Sequence, residues 1–288
     1  MIPAFDRFVG VDWSGAQGKG YAGVAVGECI AGADAPFLVP PPARRWTRSD
    51  FVDWVVAQAA DGRRMLIGID CAFALPAAMA GGLLGDAYQA AELWAHIDGL
   101  CEDAPDYYGG GFALAEANRN LFWHSGPRPA DFAEFHRACE HACRLAGLGA
   151  PESPLKLVGA RQVGKGGLAG MRVLSALKRR LDADFAVWPF DPVDTARVVC
   201  VELYPRLFLR MARHGNAKVR SAESLNRCLE VLKSGPCTDM VGTLLDHETD
   251  ALVAAAGLRL IAADPAVWSP SGLDALAIRA EGWIFGVT

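Results

Sequence analysis

Three short runs of mostly β-branched and apolar residues each end on an acid: Phe8-Val9-Gly10-Val11-Asp12, Leu66-Ile67-Gly68-Ile69-Asp70 and Val198-Val199-Cys200-Val201-Glu202. Such runs predict strands, and the wholly apolar one before Asp70 predicts a strand covered on both faces at the centre of a sheet. A carboxylate at the end of such a strand projects from the sheet edge, where a ligand can reach it. A fourth acid, Asp250, lies in Asp246-His247-Glu248-Thr249-Asp250-Ala251, at the start of a predicted helix that continues through Ala256.

The remaining pattern is that of an α/β chain. Residues 7–13 and 21–26 read as two strands joined by the glycine-bearing turn 14–20, a hairpin signal. A weaker strand is expected at 37–39. Ser49-Asp50 offers a cap for a helix carrying Phe51, Trp54, Val55 and Gln58, which Gly62 stops. Strands follow at 65–70 and 198–204, then a helical segment holding Leu207, Phe208, Leu225, Cys228 and Leu229, and the helix from 246. Between 76 and 196 the chain is rich in Gly, Pro and Ala and does not alternate cleanly with strands. It contains one expected helix with Phe132, Phe135, Cys139 and Cys143 on a single face, closed by Gly147, and another near 168–181. With no linker and no repeat, the expectation is one domain over 1–288, with 76–196 as a large helical and irregular insertion.

Composition narrows the function. At 288 residues and 52% hydrophobic the chain can bury a large core, and its net charge of -5 argues against a broad basic surface that coats nucleic acid. A local basic groove remains open to it. Arg44, Arg45 and Arg48, then Arg63 and Arg64, then Lys178, Arg179 and Arg180 are the basic clusters, and Trp46 is placed to stack on a base if they flank the acids. The plainer reading makes each cluster a solvated helix end. Eight scattered cysteines and an N-terminus without a leader pattern point to a reduced, cytoplasmic protein. No run approaches the ~18 apolar residues of a membrane helix.

Carboxylates gathered within ~4–6 Å resist joint ionisation unless a cation neutralises them. Hard oxygen donors suit Mg²⁺ or Mn²⁺, and a pair of such ions supports phosphodiester cleavage. The plainer alternative has each acid capping an element or pairing with an arginine. Two other patterns are weaker. Residues 159–166 imitate a phosphate-binding loop but end on Gly166 where a hydroxyl residue belongs. There Arg161 and Lys165 are candidates for contacting a substrate phosphate, unless the turn is purely structural. His136, Cys139, His141 and Cys143 could suggest zinc, yet one straight helix presents these four awkwardly, and cysteines on an apolar face belong to the core.

Taken with Ile69-Asp70-Cys71-Ala72-Phe73-Ala74-Leu75-Pro76, Val201-Glu202-Leu203-Tyr204-Pro205, Gly159–Gly164 and Glu281-Gly282-Trp283-Ile284, the order of elements resembles the RNase H-like superfamily. It is most similar to a family of predicted RNase H-like nucleases. His247-Glu248-Thr249-Asp250-Ala251 resembles the histidine version of the last catalytic helix in RuvC-type resolvases.

The resemblance implies an RNase H-like mixed sheet with flanking helices and a nuclease acting on nucleic acid. Asp12, Asp70 and Asp250 would hold Mg²⁺ or Mn²⁺, Glu202 would complete or support the set, and His247 would orient water or assist proton transfer, with Asp246 capping the helix. Two departures stand out: Asp70 occupies a place where many members have Glu, and Glu202 is not a standard ligand. Two rival classes remain. Asp12-Trp13-Ser14-Gly15 loosely resembles the first strand of actin-related phosphotransferases, though no second glycine-rich phosphate loop is found. A non-catalytic nucleic-acid or protein-binding scaffold on the same fold is the other.

Overall fold

All three acid-ended runs become strands, and they lie parallel. In chain order the strands are β1 (Arg7–Asp12), β2 (Ala25–Ile30), β3 (Phe37–Leu38), β4 (Met65–Ile69), β5 (Phe185–Val187) and β6 (Val198–Glu202). The computed structural model describes residues 3–288 apart from 19, 131, 133, 134, 160, 161, 216, 239 and 241. Among the described residues the strands form one six-stranded mixed sheet of order β3-β2-β1-β4-β6-β5. β1, β4 and β6 run parallel, so their carboxyl ends share one edge, while β2 and β3 complete an antiparallel meander. Every residue of β4 is buried, as its unbroken apolar run predicts.

Helices cover both faces. In chain order they are α1 (Arg48–Ala59), α2 (Ala77–Leu84), α3 (Ala90–Leu100), α4 (Gly110–Leu114), α5 (Ala138–Leu145), α6 (Gly164–Leu181), α7 (Pro205–Met211), α8 (Ala222–Val231), α9 (Asp246–Ile261) and α10 (Pro265–Trp268). Val9, Val11, Ile67 and Ile69 pack with Phe51 of α1, Leu93 of α3 and Met171 of α6 on one face. Phe8, Leu66, Val199 and Val201 pack with Phe208 of α7, Leu225 of α8 and Leu252 of α9 on the other. This is the three-layer solution for a sheet apolar on both sides.

Several expected boundaries move for identifiable reasons. The second strand begins at Ala25 rather than Tyr21, because Arg48 draws Tyr21 into the loop. Arg48 is fully buried, donates to the carbonyls of Ser14, Ala16 and Asp106 and to the Tyr21 hydroxyl, and lies 4.2 Å from the Tyr21 ring. The α1 cap is Thr47, whose hydroxyl accepts from Asp50 N–H at 2.9 Å while Asp50 accepts from Thr47 N–H, a reciprocal box. The helix expected across Phe132 and Cys143 covers only Ala138–Leu145, and Phe132 meets Phe135 edge to face instead. The 76–196 stretch mixes helices with irregular segments. Its α6 belongs to the core of the sheet, and its β5, only three residues long, was too brief to read as a strand.

A row of glycines sets how close α9 comes to the sheet. Gly27 on β2 pairs with Gly10 on β1, and Gly10 pairs with Gly68 on β4, so three glycines lie abreast. A Cβ at Gly10 would stand 2.5 Å from Ala255 N and 2.6 Å from Ala251 O, and one at Gly27 would stand 2.6 Å from Ala251 O. These distances are well inside van der Waals contact, so α9 rests its alanine face directly on the backbone of β1 and β2.

Candidate metal centre

Side chains alternate between faces along a strand. Gly10 faces α9, so Asp12, two residues on, points to the same side. Gly68 packs against Leu203 of the same α9-facing core, which gives Asp70 the same parity. Asp250 arrives from the first turns of α9 itself. Two strands and one helix thus bring three acids to one sheet edge. The Gly-x-Asp spacing shared by residues 10–12 and 68–70 is the signal that could have paired them.

The electrostatics of the three carboxylates are coupled. Burial pushes Asp12 well above the ordinary carboxylate range, and the charges of Asp70 and Asp250 push it further. Asp70 is raised to about 8, first by burial and then by Asp250 and Glu202. Asp250 is raised to about 6, chiefly by burial, with Lys218 opposing. Each charge opposes its neighbours, the condition that a bound cation relieves.

Glu202 has the opposite parity. It pairs with Ile69, not with Asp70, and therefore faces the α1, α3 and α6 side. There Arg137 donates to both of its oxygens, Nη2 to Oε1 at 2.5 Å and Nη1 to Oε2 at 2.8 Å, and Phe73 N–H donates to Oε2 at 3.0 Å. The same guanidinium donates from Nε to Glu140 at 2.8 Å and from Nη1 to the Glu281 carbonyl at 3.0 Å. The Glu281 carboxylate accepts from Ala77 N–H and Ala138 N–H. The plainer sequence reading, an acid paired with an arginine, thus describes Glu202, and its partner is Arg137, from the 76–196 stretch.

Cys139, Glu140 and Glu202 lie close enough to share a metal ion. A guanidinium already bridges the two carboxylates, so this group is a buried ion-pair network. Burial still raises Glu140 to about 7 against the pull of Arg137.

The acids open onto a cleft of about 870 Å³. Asp70, Asp250 and, with its partners Arg137 and Glu140, Glu202 line it, and Asp12 interacts with Asp70 and Asp250 without being a lining residue. One wall consists of Trp13 to Gln17, Tyr108 and the start of α6, and the other of Tyr204, Arg206 and Arg210 at α7. Trp13 Nε1 donates to Gly166 O at 3.2 Å, fastening the hairpin loop to α6. Lys165 lines the cleft, as the phosphate-contact reading requires, whereas Arg161 lies outside the described residues.

His247 is partly buried in the first turn of α9; it is not among the cleft-lining side chains or the main groups shifting the three acids. Asp246 does not cap α9. Leu245 holds the cap position, and Asp246 is drawn to Lys218 and to Arg220, the latter at 2.9 Å. Lys218 was missed in the sequence because it stands in a loop with no pattern around it.

The basic groove that the sequence left open is not assembled from the three clusters among the described residues. Trp46 is only 2% exposed, which removes it as a stacking platform, and Arg48 is internal. Arg63 pairs with Asp61, Lys178 with Asp191, Arg179 with Asp98 and Arg180 with Asp53. None of these side chains lines the cleft. Cys139 and Cys143 are core residues; His136 precedes α5, and its ring lies 5.5 Å from that of His141.

Comparison of the chain with protein-family models, with curated proteins and with solved structures returns no match. Among the described residues no helix is long and apolar enough to cross a membrane.

Proposed function

We propose that this chain is a divalent-metal-dependent phosphodiesterase of RNase H-like type that acts on nucleic acid. The observation that carries the reading is the convergence of Asp12, Asp70 and Asp250, from β1, the end of β4 and α9, into one set of like charges beside a cleft that Asp70 and Asp250 line. The strand order supports it: a three-stranded meander, a fourth strand parallel to the first, and a late helix bringing the last acid.

In donor chemistry the set suits Mg²⁺ or Mn²⁺, being three hard carboxylates carried by β1, the end of β4 and α9, two of which, Asp70 and Asp250, line the cleft. When bound, such ions supply an activated water and balance the charge on the departing oxygen. The chain contributes the rest. Asp12, Asp70 and Asp250 hold the ligand positions, Lys165 and Arg206 line the path of the phosphates, and Glu202 with Arg137 fixes the Asp70–Phe73 turn through the Phe73 N–H. We give Glu202 this supporting place and leave His247 outside the set. The eight cysteines, all buried, accord with a reduced, cytoplasmic setting.

The test combines Mn²⁺ titration calorimetry with cleavage of labelled RNA and DNA. Wild type is expected to bind Mn²⁺ and cleave, and Asp12→Asn to lose at least a hundredfold in rate. Full activity in Asp12→Asn, or no Mn²⁺ binding by wild type, sinks the reading.

A further inference from the structure

We infer that the substrate is a short single strand of nucleic acid, seated with roughly two or three nucleotides in the cleft, and that duplexes are excluded. The inference rests on the phosphodiesterase reading and adds the substrate class. It comes from the walls of the cleft and from the charge outside it.

A bare row of strand ends would let a double helix lie across the acids. Here the 76–196 stretch rises beside them. Its residues Gly149 to Glu152 line the cleft, and this wall is tied to α7 on the opposite face of the sheet. Arg210 donates to Gly147 O at 2.7 Å, and Gly149 sits so close to Tyr204 that a Cβ there would be 2.5 Å from the ring. Gly149 also has φ +144, so a larger residue would be strained as well as crowded. The acids therefore lie within a walled cleft whose 870 Å³ matches sites that enclose a small-molecule-sized ligand, about 300–1,000 Å³. Specific duplex readers bury about 1,000–2,500 Å² of open protein surface.

Charge points the same way. Duplex binding draws on many phosphate contacts, yet the net charge is -5 and the cationic clusters at Arg63, Lys178, Arg179 and Arg180 are each paired to an acid. The cleft itself carries Lys165, Arg206 and Arg210 set among the acids Asp70, Glu152 and Asp250, cations for at most about three phosphates of one strand. Tyr108 and Tyr204, both partly exposed, line it from opposite walls. Aromatic faces of this kind take bases of any sequence by stacking.

The experiment uses the whole chain. Binding of a fluorescein-labelled trinucleotide and of a duplex of about twenty base pairs is followed by anisotropy in Ca²⁺ across a salt series, and cleavage of both in Mn²⁺. The trinucleotide is expected to bind with a salt slope of about −2 and to be cut at least tenfold faster than the duplex. Tyr204→Ala should weaken trinucleotide binding about tenfold, and Lys165→Ala should flatten the salt slope by about one unit. Duplex cleavage as fast as that of the short strand, or a slope of about −5 or steeper, overturns the inference and leaves the phosphodiesterase reading standing. Trinucleotide binding without cleavage of either substrate keeps the ligand class and removes the activity. Binding of neither overturns the inference.

Discussion

Arg137 and Glu202, 65 positions apart, form a two-point ion pair in which the guanidinium meets both carboxylate oxygens. Their side chains are only 1% and 5% exposed. Removing the cation would leave Glu202 and Glu140 buried without compensation. Arg137→Ala is therefore expected to cost about 3–5 kcal/mol in urea unfolding, while an apolar replacement of Arg137, Glu140 and Glu202 together should recover much of the loss. Equal losses in the single and triple replacements would refute the network.

The same pair separates two roles for acids that look alike in sequence. Glu202→Gln should lower stability and leave Mn²⁺ affinity within a few-fold of wild type, since the side chain is engaged by Arg137 and faces away from α9. Asp12→Asn should do the reverse, losing tenfold or more in affinity with little loss of stability. Calorimetry and unfolding on both variants check this.

Metal and pH should act against each other. Asp12, Asp70 and Asp250 all hold folded-state values above the usual carboxylate range, to about 8 for Asp70 and about 6 for Asp250. Between about pH 4 and pH 8 the folded chain then carries more protons than the unfolded one, so metal-free stability falls as pH rises through that window. Millimolar Mn²⁺ should restore the Tm at about pH 8 and change little at about pH 5, where protons occupy the site. A metal-free Tm that climbs from about pH 5 to about pH 8 contradicts the shifts.

Asp70→Asn removes a charge whose ionisation the fold resists, burial and the neighbouring acids having raised it to about 8. It should raise the metal-free Tm at about pH 8 while abolishing the stabilisation by Mn²⁺, a trade of function against stability. Thermal melts with and without the metal decide it.

Gly10→Ala would place a Cβ 2.5 Å from Ala255 N, against backbone that cannot rotate aside. A cost of at least about 1–3 kcal/mol is expected, with a fall in Mn²⁺ affinity as α9 lifts and carries Asp250 away. An alanine at exposed Gly32, where the fold leaves open space, serves as the control for handling, though its φ of +113 adds local strain.

The strands that position the acids were legible because their signals are local. The runs at 8–12, 66–70 and 198–202 are apolar and β-branched, and the fold uses them at those positions. Asp250 was legible because it opens a helix rich in alanine. The facing of Glu202 was hidden, because a one-residue offset in register between β4 and β6 decides its parity and no local pattern reports it. Arg48 and Trp46 looked like surface groups for a related reason. The carbonyls of Ser14, Ala16 and Asp106 that make a buried home for Arg48 come from loops 32 to 58 residues away. The cationic rim of Lys165, Arg206 and Arg210 was scattered along the chain, while the conspicuous clusters were balanced by acids elsewhere.

The glycine row has a mechanical meaning. Backbone touches backbone where α9 lies on β1 and β2, so no side-chain rotamer can absorb a change in their separation. Asp12 and Asp250 are thus set apart by a fixed spacer made of two main chains, and α9 behaves as a lever whose seating gauges the site. Any event that unseats it, from mutation in the row to a ligand wedged under its first turn, would disperse the acids without altering one of them.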